Sequence, residues 1–271
     1  MKKHLIAIDL DGTLLNSKSL ISAKTNSFLR KLQQEGHKIV IATGRPYRGS
    51  LGFYQELDLN TPLIVDNGAS IFQENDSSFQ PYLKRIDNSV LVEIFNYAKS
   101  NINTAFYSVL NELYAYQIQR RLDFYFHLNE QTKIIETPFL HHLPEAPLVM
   151  LAIKRPFDEH FEDYIATNFQ TEISLRCWGK DKNNGVYELI PSGVSKGKAI
   201  LKIAEHYNIA LEEIISFGDG ANDVELLSMS GHGVLMANGS DELKAVSDAI
   251  TEYSNDEDGV IRYLETYFKN K

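Results

Sequence analysis

The sequence predicts an α/β protein: a core built on a parallel sheet, interrupted by an α+β insert. Three observations lead there. The segments at residues 5–8, 38–42, 63–65 and 213–217 are mostly apolar with no strict alternation, as in strands buried on both faces. Segments with helical spacing separate them, which requires crossover connections and therefore parallel strands. Between about residues 83 and 188 the strands come in neighbouring pairs, the pattern of an antiparallel sheet.

The first strand, residues 5–8, runs straight into Asp9-Leu10-Asp11-Gly12-Thr13, and Gly12 permits a sharp turn there. Residues 22–35 have helical spacing, with Ser22 as N-cap and Gly36 as the stop. The second strand, residues 38–42, ends in Thr43-Gly44-Arg45-Pro46, and Pro46 suits the first turn of a helix running to about Leu57. The third strand, 63–65, closes at Asp66-Asn67-Gly68. Asn-Gly favours a tight turn, so residues 69–72 return as a hairpin strand.

In the insert, residues 88–99 form a helix with Val90, Leu91, Ile94, Phe95 and Ala98 on one face. Residues 104–109 and 113–116 are strands, 119–128 an aromatic-rich helix, 148–153 a strand and 157–169 a helix. Strands at 172–178 and 186–190 flank a polar loop, 179–185. The alternating pattern resumes at Pro191, with a helix at 195–207, the buried strand 213–217 and Gly218-Asp219-Gly220 directly after it. Asn222 and Asp223 start the next helix; a strand at 232–236, a helical turn at 241–246, a strand at 249–251 and a helix at 258–268 finish the chain. The expected limits are residues 1–82 and 189–271 for a Rossmann-like core and 83–188 for the insert.

A chain of 271 residues is long enough for two such domains. A net charge of −9 argues against a protein that lives on neutralising nucleic-acid phosphates, and leaves small anionic substrates open. Cys177 is the one cysteine, so neither an intrachain disulfide nor a cysteine metal cluster is available. The apolar run before Asp9 is too short for a signal-peptide core, and no run approaches a membrane span. The expectation is a soluble cytoplasmic protein.

The chemistry collects where strands end. Asp9 and Asp11, then Thr43, Gly44 and Arg45, then Asp219, Asn222 and Asp223 follow three strands of the expected parallel sheet, whose carboxyl ends share one edge. Four carboxylates gathered there repel one another and titrate upward unless a cation is present. Hard oxygen donors suit Mg2+, which keeps waters and shares substrate phosphates. Thr43 adds a hydroxyl and Lys196 a positive charge, completing the parts for phosphoryl transfer. Taken singly, each residue has a plainer reading. Lys196 reads as a solvated helix residue, Thr43 as a helix cap, Gly218-Asp219-Gly220 as a turn, and Asp223 as a first-turn acid favoured by the helix dipole. One shared site accounts for all of them together.

These residues carry a family resemblance. Asp9-Leu10-Asp11-Gly12-Thr13, Ala42-Thr43-Gly44-Arg45, Ser195-Lys196-Gly197 and Gly218-Asp219-Gly220-Ala221-Asn222-Asp223 resemble the four ordered motifs of haloacid-dehalogenase-like (HAD) hydrolases. Gly233-Val234-Leu235-Met236-Ala237-Asn238 and Asn255-Asp256-Glu257-Asp258-Gly259-Val260 resemble the Cof-type, sugar-phosphatase-like subgroup. Glu225-Leu226 departs from the proline and methionine often found after the Asn-Asp pair, without chemical consequence.

The resemblance implies a Mg2+-dependent phosphatase acting on small phosphorylated metabolites, with the insert as a C2-type cap that excludes water and chooses the substrate. It implies Asp9 as nucleophile, forming an aspartyl-phosphate, and Asp11 as acid and then base. The metal set it implies is Asp9, the backbone carbonyl of Asp11, and Asp219, with Asp223 in support. Thr43, Gly44, Lys196 and Asn222 would hold the phosphoryl oxygens. Arg45 and Arg176 are candidate substrate contacts, with capping or ion pairing as the alternatives.

Asp11 favours phosphate chemistry, because a dehalogenase of this superfamily does not need it. A mutase usually carries a helical cap before the second motif, and the roughly thirty residues between Thr13 and Thr43 leave no room for one. A phosphotransferase or mutase, which shares the nucleophile and acid, stays an alternative behind the phosphatase; so does a non-catalytic metabolite-binding protein of the same fold, one with no need to keep Asp9, Asp11, Lys196 and Asp219 together.

Overall fold

A computed structural model describes residues 2–73, 78–119, 127–128, 130–136 and 145–269. In chain order the elements begin with β1 (Leu5–Ile8), α1 (Ala23–Gln34), β2 (Lys38–Ile41), α2 (Tyr47–Glu56), β3 (Leu63–Val65), β4 (Ser70–Phe72) and β5 (Tyr82–Leu83). The insert contributes α3 (Asn88–Ala98), β6 (Ile102–Val109), β7 (Glu112–Tyr116), β8 (Lys133–Ile135), β9 (Val149–Lys154), α4 (Phe157–Asn168), β10 (Ile173–Lys180) and β11 (Asn184–Pro191). After it come α5 (Lys196–His206), β12 (Ile214–Gly218), α6 (Val224–Ser228), β13 (His232–Leu235), β14 (Ala249–Ile250) and α7 (Gly259–Lys269). Two units separate by density of contacts: Met1–Gly44 with Ser50–Tyr82 and Ser195–Lys271, and Arg45–Gly49 with Leu83–Val194.

The first unit is built on a parallel five-stranded sheet in the order β14-β13-β12-β1-β2. Every residue of β1 is buried, which explains why its sequence does not alternate. Ser22 caps α1 by accepting the Thr25 N–H, and Leu29 and Leu32 turn inward from that helix. Leu5, Ala7, Val40, Ile64, Ile200, Ile203 and Ile214 form one core across sheet and helices. Register then fixes the chemistry. Ile8 pairs with Phe217 on one side and Ile41 on the other, so the residues that follow these three leave the sheet together.

Two expectations change here. The third strand joins the parallel sheet only through a single Ala42–Ile64 bridge; its main partner is β4, in a separate β3-β4-β5 sheet. The turn after it is not a two-residue Asn-Gly turn, because Val65 pairs with Ser70 and leaves residues 66–69 in the loop. Asp66, Asn67 and Gly68 all take positive φ, of 51°, 53° and 93°.

The second unit is a six-stranded sheet, β10-β11-β9-β6-β7-β8, antiparallel except for the β7–β8 pair. Period-two alternation divides its side chains. Tyr107, Leu151, Tyr187 and Leu189 pack with Leu91, Ile94, Phe161 and Ile165 of α3 and α4, while Phe106, Leu113, Ala115, Met150 and Ala152 form a separate cluster.

The loop expected at 179–185 shortens to residues 181–183. β10 continues to Lys180 through a bulge between Cys177 and Gly179, and β11 begins at Asn184. β8 was not expected from the sequence. Of the helix expected at 119–128, residues 120–126 lie outside the described residues, and Gln119, His127 and Leu128 are not helical.

Candidate active site

Asp9 follows β1 directly. Its N–H continues the ladder to Phe217 O at 3.1 Å, while its carbonyl accepts Leu14 N at 3.1 Å. The chain thus closes on itself, helped by Leu15 N to Leu10 O at 2.8 Å. Gly12 is required twice over. Its φ is +74°, and a Cβ there would stand 2.2 Å from Asp219 Oδ2. The second strand end, Thr43, is buried, and its N–H bonds Ile64 O at 3.0 Å. The third, Asp219, follows β12, and its Oδ1 accepts the Thr13 hydroxyl at 2.8 Å.

The late motifs brace the first loop. Asn238 Nδ2 donates to Gly12 O at 2.8 Å, Asn238 Oδ1 accepts Asn255 N at 3.0 Å, and Asn255 Nδ2 donates to Leu15 O at 2.8 Å. The Asn238 and Asn255 amides therefore act on the Asp9–Leu15 turn from segments far away in sequence.

Lys196 opens α5 and is fully buried. Its ammonium lies 2.7 Å from Asp9 Oδ1 and 2.7 Å from Asp223 Oδ1. The solvated reading of this lysine is therefore wrong: a buried ammonium requires partners, and it has two. Asp223 uses its other oxygen on backbone, accepting Asp219 N and Gly220 N at 3.1 Å each. It braces the Gly218–Asp223 turn more than it caps the helix that follows.

Asp9, Asp219 and Asp223 each offer an oxygen to one point, with those atoms within 4.8 Å of one another. Three carboxylates against one ammonium leave an excess of two negative charges. Burial is the main cause that raises Asp9 well above the usual aspartate range, with Asp223 and Asp219 adding repulsion that Lys196 opposes. Burial likewise pushes Asp219 up to about 6, with Asp223 the next cause and Asp11 a smaller one. Burial works to lower Lys196, but Asp223 and Asp9 outweigh it and hold the ammonium charged. The donor set fits a hard divalent cation in charge and in atom type.

The structure thus joins Asp9, Asp219, Asp223 and Lys196 by direct contact. Gly44 and Asn222 meet at Asn67, whose Oδ1 accepts Asn222 Nδ2 at 3.0 Å and lies 2.9 Å from where a Gly44 Cβ would be. The Asp11 side chain is outside the three-carboxylate cluster. Arg45 and Arg176 belong to the second unit. Arg45 Nη1 donates to Gly49 O at 3.3 Å, and Arg176 Nη1 to the buried Glu188 Oε2 at 2.7 Å. Thr13, Asn67, Asn238 and Asn255 are the residues that sequence reasoning missed as site components. For Asn238 and Asn255, the signal was their place in the two late motifs.

A parallel-sheet core with these strand ends, interrupted by a separate sheet unit, is the architecture of a phosphoryl-transfer hydrolase with an inserted cap. The family model for haloacid dehalogenase-like hydrolases matches residues 6–264, and the chain belongs to that family, in its Cof-type branch. It is 34% identical over 269 residues to the 5-amino-6-(5-phospho-D-ribitylamino)uracil phosphatase YitU of Bacillus subtilis (strain 168), covering 98% of both chains. It is 29% identical to the phosphatase YwpJ of the same organism, covering 96% of this chain and 98% of that one. Among solved structures it resembles a haloacid dehalogenase-like hydrolase from Bacteroides thetaiotaomicron, with a TM-score of 0.83 and 27% identity over 98% of this chain and 100% of that one. The chain is a phosphoric monoester hydrolase. Among the described residues, no helix is long and apolar enough to cross a membrane.

Proposed function

We propose that this enzyme hydrolyses a small phosphorylated metabolite with Mg2+ bound, through a phosphoryl group carried on Asp9. The observation that carries this reading is Lys196. A fully buried ammonium between Asp9 and Asp223, with Asp219 completing an over-acidic cluster, is costly unless the charges serve chemistry. Asp9, Asp219 and the backbone carbonyl of Asp11 would hold Mg2+, with Asp223 in support. When bound, Mg2+ neutralises the excess negative charge and that of the incoming phosphate.

An Asp9 carboxylate oxygen attacks phosphorus, and the bond from phosphorus to the substrate oxygen breaks. The leaving oxygen takes its proton from Asp11. Asp11, now a carboxylate, takes a proton from water as that water attacks phosphorus, which releases phosphate and restores Asp9. Lys196, Thr43, the Gly44 backbone and Asn222 hold the phosphoryl oxygens throughout. Asp11 is suited to this double task because its side chain stands outside the carboxylate cluster.

The inserted segment, residues 83–188, serves as the cap; Arg176 within it and Arg45 after the second strand are the candidate contacts to the rest of the substrate. YitU, YwtE and YcsE of Bacillus subtilis are all named as phosphatases of 5-amino-6-(5-phospho-D-ribitylamino)uracil, which makes that compound the first to test. The deciding experiment measures phosphate release from it, from sugar phosphates and from an aryl phosphate, with Mg2+ and with chelator. Turnover that needs Mg2+ and disappears in Asp9→Asn supports the reading. A wild-type protein that releases no phosphate, or an Asp9→Asn variant as active as wild type, refutes it.

A further inference from the structure

The loop after β3 belongs to none of the strand ends that carry the proposed chemistry, yet it touches most of them. Asp66, Asn67 and Gly68 are consecutive left-handed residues, two of them with side chains. That conformation is unfavourable for most residues, and asparagine and aspartate are the types with side chains that tolerate it. Asn67 is 1% exposed, and its N–H donates to Thr43 O at 3.1 Å. Its Oδ1 accepts Asn222 Nδ2 at 3.0 Å. A Cβ on Gly44 would stand 2.9 Å from Asn67 Oδ1, 3.2 Å from Asn67 Nδ2 and 3.3 Å from Asn222 Nδ2. On the other side, a Cβ on Gly68 would stand 2.4 Å from Ser195 O, the residue before Lys196. Asn67 therefore meets Thr43 through its backbone and Asn222 and Gly44 through its side chain, while its neighbour packs against the start of α5.

We propose that Asn67 is a positioning residue for the phosphoryl group, acting through Asn222. By accepting one N–H of the Asn222 amide, Asn67 fixes the plane of that amide and directs the second N–H at a phosphoryl oxygen. The left-handed backbone at residue 67, which asparagine tolerates, sets the direction of that acceptor. The proposal rests on the phosphatase reading above. It adds a residue whose work is orientation, since the amide of Asn67 itself need not touch substrate.

Asn67→Gly separates this role from a plain turn residue, because glycine adopts the left-handed conformation without strain while deleting the amide. The expected result is a protein still folded at the assay temperature, with a modestly lower thermal midpoint from the lost buried hydrogen bond and the added glycine. kcat/KM on an aryl phosphate falls by about 10- to 100-fold, the cost of a misplaced contact. Inorganic phosphate, titrated calorimetrically with Mg2+ present, binds more weakly by a similar factor. Because Asn67 acts through Asn222, the double variant Asn67→Gly, Asn222→Ala loses no more than Asn222→Ala alone. Wild-type kcat/KM and phosphate affinity in Asn67→Gly overturn the proposal, as does a double variant in which the two losses multiply. Activity lost only in proportion to folded protein lost at the assay temperature overturns it too, since Asn67 would then hold the fold. If Asn67→Gly is unchanged while Asp9→Asn is dead, the proposal falls and the phosphatase reading stands. A wild-type protein that neither turns over nor binds phosphate removes both.

Discussion

Asp219→Asn makes the metal-free protein more stable while abolishing its activity. Folding without a cation places Asp219 beside Asp9 and Asp223 and raises it from the ordinary 3.8 to about 6, burial being the first cause and Asp223 the second. A group raised on folding binds protons more tightly in the native state. Its favourable contribution is complete below the unfolded value and is lost as pH rises through the folded one. A shift of about two units corresponds to about 3 kcal/mol of native-state destabilisation at pH 7 and above. Asparagine removes that charge and keeps an oxygen to accept the Thr13 hydroxyl, now at 2.8 Å. Urea unfolding in chelator at about pH 7.5 therefore places Asp219→Asn above wild type by up to about 3 kcal/mol, and the gap closes toward about pH 4. Adding Mg2+ stabilises wild type by mass action and stabilises the variant far less. An Asp219→Asn protein less stable than wild type without metal, or one gaining as much from Mg2+, would refute the claim that this cluster is an over-acidic cation site.

Further outcomes follow from the same geometry. Asp11→Asn slows hydrolysis of an alkyl phosphate far more than that of a nitrophenyl phosphate, whose leaving oxygen needs no proton; equal losses in steady-state kcat/KM count against Asp11 as the acid. Lys196→Met leaves two buried carboxylates without their cation and costs about 3–5 kcal/mol in metal-free urea unfolding. A loss within experimental error would show that the ion pair is not what compensates burial. His37 is buried away from these residues, and its Nδ1 accepts His4 N at 3.1 Å. Burial, with His4 and Lys3 nearby, lowers it to about 4. A group lowered on folding loses stability as pH falls, so between pH 7 and about 5 this residue accounts for about 2 kcal/mol of lost stability. His37→Gln should flatten that part of the unfolding profile, and an unchanged profile would contradict the assignment.

Much of the core was legible because it rests on signals local to a few residues. β1, β2 and β12 are short, mostly apolar runs followed by a carboxylate or a small residue, so their common edge follows from topology alone. What was not legible depends on partners distant in sequence. Lys196 was legible as a site residue only through the ordered motifs, and its burial was not; that comes from Asp9, 187 residues away, and Asp223, 27 away. Asn67-Gly68 has the composition of a hairpin turn, and only the Asn222 and Gly44 contacts make it part of the site. In the insert, the end of β10 is exposed from Cys177 to Lys180, so no apolar alternation marks it as strand. β8 is a short and mostly exposed strand, held by parallel pairing with β7 rather than by burial.

The central claim is that Asp9 carries the phosphoryl group. Rapid acid quench of wild-type enzyme mixed with substrate and Mg2+, followed by peptide mass spectrometry, tests it directly. The expected result is a phosphorylated peptide spanning Leu5 to Leu15 with the modification on Asp9, appearing before the steady state and absent without Mg2+. Phosphate released in that first turnover, with no phosphoryl group on Asp9 at any quench time, would contradict it.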